Sequence, residues 1–400
     1  MPQNIGLVLS GGGARGVYEI GVLSVLLPWL EQRHNQRPDV LVGTSIGAIN
    51  VGYLAAGAQK DTATLLRDAG QQWLKIDYDR VMGRLFALRE LRTINRLLLS
   101  VLQPRVVPRS LLDSRALVKA LRELVPSAAQ IHNNVIDPKV GLTACAVVAT
   151  AAHTNRSVVF HDGGRKARSD DRRGIDYVAT SVEREHIEAS AAIPVVFPAV
   201  RVDGPGEGWY FDGGTRLNTP IKPALRLGAK RVIVIGLNSV SPAPPSATRP
   251  DLFDGASQVV QGLLVDPLLN DVTTLAGINE AVLRAHKAGS GGEKRALVPY
   301  IFVAPKPNEI GEIAQCVYEQ CFAGVGALRH SLELSLLGRL IGAGSNSTRG
   351  ELFSYFFFAK EFAARLLQLG REHATDWIKH RHDDGAWQVK RLPAPKGVTR

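Results

Sequence analysis

Short apolar runs alternate with longer stretches of helical period along the first third of the chain. Ile5–Ser10 reads as a buried strand and Ala14–Leu30 as a helix; Val40–Gly43 reads as a second strand and Ser45–Gly57 as a second helix. This βαβα opening predicts a mainly parallel sheet covered by helices. Asp61–Lys75 and Ser114–Leu124 have helical patterning. Lys139–Thr150 is a long β-prone run, and Ser157–His161 is a short one that pairs with it as a hairpin. The charged, glycine-rich stretch His161–Gly174 reads as a loop. Trp209–Asp212, Arg231–Leu237 and Pro299–Ala304 complete the strands. Ser239–Pro250, Lys287–Arg295 and Gly342–Gly350 read as loops or linkers. Beyond them, Glu351–Leu369 reads as one helix carrying the aromatic cluster Phe353, Tyr355, Phe356, Phe357 and Phe358. No internal repeat is present.

Composition sharpens this picture only in places. The chain has 400 residues, 45% of them hydrophobic and 21% charged, ordinary values for a folded protein of one large or two ordinary domains. Its net charge of +11 fits an anionic partner, a membrane surface or nucleic acid, and fits equally well the solubility charge of a basic protein. No zinc finger, aromatic RNA-binding motif or helix-turn-helix signature supports a nucleic-acid partner, and none is expected. Cys145, Cys316 and Cys321 are too few for a disulfide framework or a zinc site, so a reducing cytoplasm is the simplest reading. Met1-Pro2-Gln3-Asn4 runs straight into the first strand, and no targeting signal is expected. No uninterrupted apolar run reaches about 18 residues, so no spanning helix is expected. Oligomeric state leaves no signal.

Two glycine-rich turns carry the candidate chemistry. Gly43-Thr44-Ser45-Ile46-Gly47, at the turn from the second strand into the second helix, fits a nucleophile elbow. The turn excludes side chains at Gly43 and Gly47 and presents Ser45 at the sheet end. Gly11-Gly12-Gly13-Ala14-Arg15-Gly16 follows the first strand, and its backbone amides can converge on an anion. The same segment places Gly11, Gly13 and Gly16 in the spacing of a dinucleotide-binding loop, the alternative reading. That reading wants an acid at the end of the second strand, where this chain has Gly43-Thr44-Ser45.

If Ser45 is a nucleophile it needs a base. A Ser–Asp–His triad is disfavoured, since Ser45 follows only the second strand and the histidines are scattered. His186 reads as a surface residue; His153 and His161, near strand ends, are the remaining histidine candidates. The other route is a carboxylate. Asp-Gly-Gly occurs at Asp162, among cations, and at Asp212, after Trp209-Tyr210-Phe211. Apolar bulk before Asp212 would desolvate it and raise its pKa toward that of a base, which favours Asp212 on physical grounds.

With these segments in place the chain resembles the patatin-like phospholipases. The resemblance rests on four blocks in order: Gly11–Gly16, Gly43–Gly47, Ser190-Ala191-Ala192-Ile193-Pro194-Val195-Val196-Phe197-Pro198, and Asp212-Gly213-Gly214 followed by Asn218-Thr219-Pro220. It spans about residues 5–240 and selects Asp212 over Asp162. It implies a patatin-like fold, a three-layer α/β/α sandwich with a mainly parallel central sheet, to which this chain adds a helical C-terminal region. It implies a Ser45–Asp212 dyad without histidine, and an oxyanion hole from Gly11, Gly12, Gly13, Ala14, Arg15 and Gly16. It also implies a lipid ester as substrate and a phospholipase A or lysophospholipase type of reaction. No cofactor or metal is needed for these steps. Arg15 falls at a basic position of that loop, where it either holds a phosphate or orders the loop through a salt bridge. Residues 1–305 are expected to form the catalytic domain, 306–380 a helical extension packed on it, and 381–400 a flexible basic tail.

Arg80–Arg109 combines an apolar helical face (Leu88, Leu91, Ile94, Leu98, Leu102) with Arg89, Arg92 and Arg96 on another. Such a helix either packs on the core or lies on an anionic membrane, which would make the protein peripheral there. The Phe353–Phe358 cluster poses the same choice between burial and membrane insertion.

Overall fold

The structure, a computed structural model, describes residues 3–76, 115–125, 128–194, 196–239, 266–287, 296–322, 347–380 and 386–389. Arg80–Arg109 and most of the linkers at 240–250, 288–295 and 342–346 lie outside the described residues.

Among the described residues nine strands form one sheet: β1 (Ile5–Leu9), β2 (Val40–Thr44), β3 (Ala144–Ala151), β4 (Ser157–Gly163), β5 (Ile175–Ala179), β6 (Val200–Val202), β7 (Gly208–Asp212), β8 (Arg231–Ile235) and β9 (Tyr300–Val303). The order is β5-β4-β3-β2-β1-β8-β9, with β2, β1, β8 and β9 running parallel to β3 and to one another. The hairpin expected after β3 is present, β4 pairing antiparallel with it along its length. Strand side chains alternate between two helical layers. Leu7, Leu9, Leu41, Val147 and Ile233 join one core with α1 (Val17–His34), α2 (Ile46–Ala56) and α3 (Thr62–Trp73). Val8, Val42, Ala146, Val232 and Val234 join the other, under the helices Ile221–Leu227 and Asp266–Lys287. The fold is therefore the expected α/β/α sandwich, and burial on both faces is why the central strands read as continuous apolar runs.

One departure from simple strand order positions the site. The first five residues of β3 pair with β2, ending at Thr44↔Val148. The next three pair with β7, beginning at Ala149↔Asp212. Thus β7 fills the place in the sheet that β2 vacates, and the end of β7 meets the residue that follows Thr44.

The predicted helix Glu351–Leu369 is two helices, Ser347–Ser354 and Lys360–His380. The break falls where the Tyr355 carbonyl leaves the helical ladder to accept from the Ala14 amide at 2.9 Å. The aromatic cluster is largely buried: Phe353, Tyr355, Phe357 and Phe358 all pack inside, with Phe356 half-buried. Lys360–His380 crosses α1 at backbone contact. A Cβ on Gly370 would lie 2.4 Å from the Tyr18 carbonyl oxygen, and one on Gly21 would lie 2.3 Å from that of Leu367.

Part of the segment expected to be a free tail is docked. Gln388 exchanges two 2.8 Å backbone hydrogen bonds with Tyr300 on the outer strand, which caps an otherwise open sheet edge. Trp387 donates to Gln36 at 2.8 Å and lies under the Arg231 guanidinium. Among the described residues no helix is long and apolar enough to cross a membrane.

Candidate active site

Ser45 stands between β2 and α2 with φ 55° and ψ −122°, a left-handed backbone that a serine adopts only under constraint. The constraint is steric. A Cβ on Gly43 would come within 2.3 Å of the Gly47 carbonyl oxygen, and one on Gly47 within 2.4 Å of the Leu9 carbonyl oxygen. Both elbow glycines are thus required by the close approach of backbone to backbone. The turn is tied down on each side. Thr44 Oγ1 donates to the Leu217 carbonyl at 3.0 Å, and the Ser45 amide donates to Ser190 Oγ at 2.9 Å. Ser190 in turn donates to the Val148 carbonyl at 2.6 Å.

Ser45 Oγ donates to Asp212 Oδ2 at 2.5 Å. The other carboxylate oxygen accepts from the Gly214 amide at 2.7 Å, and the Asp212 amide donates to the Ala192 carbonyl at 2.9 Å. Asp212 is 3% exposed. Burial pushes its pKa up to about 6, against the opposing effect of the hydrogen bonds from Ser45 and Gly214. Of the apolar residues before it, Tyr210 is buried and Phe211 half-buried, while Trp209 is 42% exposed. Strand β3 beside it and the end of the helix Arg184–Ala191, whose following residue Ala192 accepts its amide, also adjoin Asp212.

Among the described residues no histidine bonds to Ser45 or Asp212. His186, expected at the surface, is buried instead. Its ring caps its own helix by accepting from the Glu183 amide and packs on Phe160, and burial lowers its pKa to about 4. His153 is exposed in the turn after β3. His161 Nδ1 bonds the Gly163 carbonyl oxygen. Asp162, the rival carboxylate, is bonded to His132 at 2.9 Å.

The glycine loop is buried and held from two directions. Asn218, from the block after Asp212, accepts the Gly11 amide at 2.9 Å and donates to the Gly11 carbonyl at 3.2 Å. From behind, buried Glu19 accepts the Ser10 amide at 2.9 Å and Asn50 Nδ2 at 2.7 Å; burial raises its pKa well above the usual carboxylate range. Asn50 also donates to the Gly16 carbonyl. The amides of Gly11, Ala14 and Arg15 are therefore taken, by Asn218, Tyr355 and Gly12 respectively. Those of Gly12 and Gly13 meet no partner among the described residues, and Gly13 borders the cavity beside Ser45. The loop tolerates no side chain at two of its glycines: a Cβ on Gly13 would be 2.2 Å from the Tyr355 carbonyl oxygen, and one on Gly11 would be 2.3 Å from Asn218 Oδ1.

Arg15 is 1% exposed and fully engaged. It pairs with Glu351 Oε2 at 2.5 Å and donates to the Glu351 carbonyl, Ser354 Oγ at 2.7 Å and Asn238 Oδ1 at 2.6 Å; its guanidinium lies 4.0 Å from the centre of the Tyr355 ring. Of the two readings, loop ordering fits this arrangement and phosphate holding does not, since no face of the guanidinium is open. Sequence reasoning missed Glu351, Ser354 and Asn238 because nothing local ties them to residue 15.

A narrow, partly open apolar cavity lies beside Ser45. Ile46 and Ile49 of α2, Trp73 and Ile76, Leu121 and Leu124, Ile193 and Phe197, and the C-terminal Tyr355, Phe356 and Phe358 line it. Among the described residues no group of three or more His, Cys, Asp or Glu is placed to hold a metal ion.

A family model described as Patatin-like phospholipase matches residues 7–225. Among solved structures the chain is similar to VipD from Legionella pneumophila, at 14% identity and a TM-score of 0.33, covering 76% of this chain and 62% of that one. It is also similar to human GIVD cytosolic phospholipase A2 in complex with methyl gamma-linolenyl fluorophosphonate, at 12% identity and a TM-score of 0.31, covering 93% of this chain and 59% of that one. The chain thus spans about three fifths of the length of each. Ser45 and Asp212 fall inside the family match; Asn238, Glu351, Ser354 and Tyr355 fall outside it.

Proposed function

The chain belongs to the patatin-like phospholipase family, and on that premise we propose that it is a serine acyl hydrolase of lipid esters, of phospholipase A or lysophospholipase type. The observation that carries the reading is the 2.5 Å contact between Ser45 Oγ and an Asp212 carboxylate whose pKa burial has raised to about 6, at the mouth of an apolar cavity. Ser45 Oγ attacks the ester carbonyl carbon while Asp212 takes its proton. The amides of Gly12 and Gly13 donate to the oxyanion of the tetrahedral intermediate, an effect of about 3–4 kcal/mol per donor. Asp212 then returns the proton to the departing alcohol, leaving an acyl chain on Ser45. Water deprotonated by Asp212 releases the fatty acid and restores the serine. Arg15 orders the loop and stays away from the substrate. The net charge of +11 supports meeting the lipid at an anionic membrane surface.

The test is covalent trapping followed by a substrate panel. An alkyl fluorophosphonate is expected to label the wild-type protein at Ser45 alone, mapped by peptide mass spectrometry, with fluoride as the leaving group. The same preparation is expected to release fatty acid from phospholipids or lysophospholipids, faster from anionic than from neutral vesicles at low salt. Absence of labelling together with absence of fatty-acid release rules the reading out.

The base must be ionised to act, so the direction of the pH profile follows. The pKa of Asp212 in the folded enzyme is about 6, and kcat/KM is expected to rise with pH through that value and level off above it. A raised carboxyl pKa also makes folding more favourable when the group is neutral. Its contribution to stability is present at low pH and is lost as pH rises through about 6. Asp212→Asn is therefore expected to lose activity at every pH and to flatten this part of the stability profile. A kcat/KM that falls as pH rises from 5 to about 7 would contradict Asp212 as the base.

A further inference from the structure

We propose that the segment Glu351–Phe358, outside the family match, is a working wall of the acyl cavity, and that Phe356 and Phe358 set which acyl chain length the enzyme accepts; this rests on the acyl-hydrolase reading of Ser45. Three observations converge on the segment. It is fastened to the glycine loop by the Arg15–Glu351 pair and by the Ala14 amide bonding the Tyr355 carbonyl. It is locked into the core by Phe357, which lies between the cavity-lining Phe356 and Phe358, and by Phe353 one helical turn before. Phe357 stacks on Phe362 with ring centres 5.0 Å apart, and Phe353 lies 4.4 Å from Phe357, both fully buried. Its backbone turns tightly there, the Phe358 amide donating to the Phe356 carbonyl and the Ala359 amide to the Phe357 carbonyl, each at 2.9 Å. The turns and the buried anchors fix where Phe356 and Phe358 stand. Both then border the cavity that holds Ser45, together with Ile46 and Ile49 of α2.

The consequence is a measuring wall. An acyl chain attached at Ser45 extends along this cavity, and its length is limited by apolar side chains that cannot retreat, since their neighbours are packed. Each methylene that fits or fails to fit changes transition-state binding by a modest factor that accumulates along the chain. Phe356 is the better probe of the two. It is half-buried, so its replacement disturbs the core least.

The readout is the rate at which a series of methyl alkyl fluorophosphonates, from butyl to hexadecyl, labels Ser45 in the full-length protein. Phe356→Ala is expected to raise the ratio of hexadecyl to octyl labelling rates about tenfold, and Phe356→Trp to lower it below that of the wild type. Opposite shifts from the smaller and larger side chains are a signature that a purely structural residue does not give. Phe356→Leu repeats the test with less volume removed, in case the alanine variant does not fold. If the wild type is labelled but the profile is the same in every folded variant, or falls equally at all lengths, this inference is overturned and the proposed function stands. If the wild type is not labelled by any member of the series, both fall together.

Discussion

Ser45→Ala is expected to reduce ester hydrolysis by about ten-thousandfold or more while leaving the protein folded. The two parts of that outcome have separate physical origins. Activity falls because, among the described residues, no other side-chain hydroxyl bonds the Asp212 carboxylate that Ser45 Oγ reaches. The fold persists because the elbow is held by groups the substitution leaves alone. The Ser45 amide still reaches Ser190, Thr44 still reaches Leu217, and alanine keeps the Cβ that the left-handed backbone already accommodates. Removal of the Ser45 hydrogen bond, which lowers the Asp212 pKa, moves that pKa further up. Circular dichroism and a thermal melt should overlay those of the wild type, and fluorophosphonate labelling should disappear. A variant that hydrolyses lipid esters at more than a few per cent of the wild-type rate would remove Ser45 from the chemistry.

Glu351→Ala is expected to produce the largest loss of stability, about 3–5 kcal/mol, because it leaves the Arg15 guanidinium buried beside an absent partner. Ser354, Asn238 and the Tyr355 ring remain, but none of them carries a negative charge. Loss of turnover should accompany the loss of stability, since Arg15 lies in the loop whose Gly12 and Gly13 amides are assigned to the oxyanion. That defect should appear in kcat more than in KM. Urea denaturation measures the first effect and steady-state kinetics the second. The double variant Arg15→Met with Glu351→Leu should recover much of the stability, because apolar residues of similar size replace a buried ion pair without the unpaired charge. A Glu351→Ala change that costs less than about 1 kcal/mol would show that the pair is not what secures the loop.

The parts of this molecule that were legible in sequence are those specified locally. The parallel core strands are buried on both faces, so Ile5–Leu9, Val40–Thr44 and Arg231–Ile235 announce themselves as apolar runs. The elbow is legible because its geometry forbids a Cβ at Gly43 and Gly47. Asp212 stood out through the Asn218-Thr219-Pro220 that follows it, and Asn218 turned out to be the group that grips Gly11. What escaped notice depends on distant partners. The break at Tyr355 has no helix-breaking residue behind it; the carbonyl is captured by an amide at the other end of the sequence. His186 sits among Arg184, Glu185 and Glu188, which patterns as a surface, yet its ring is drawn under Phe160 and onto the Glu183 amide. The short edge strand Ile175–Ala179 is only partly buried and lacks the apolar run that marks the centre of the sheet. Ser190 was visible only as a letter in a shared block, and its bond to the Ser45 amide exists only once the helix Arg184–Ala191 is laid over β3.

The clamp on the glycine loop joins residues 336 positions apart. A chain emerging from the ribosome N-terminus first makes the loop well before its fastening. Ser45 and Asp212 are both made before Glu351 and Tyr355 have been polymerised. Closing so long a loop also carries an entropic cost that only the finished fold offsets. The loop that carries Arg15 therefore takes its fastened form only after Glu351 and Tyr355 have joined the fold, long after its own residues were made.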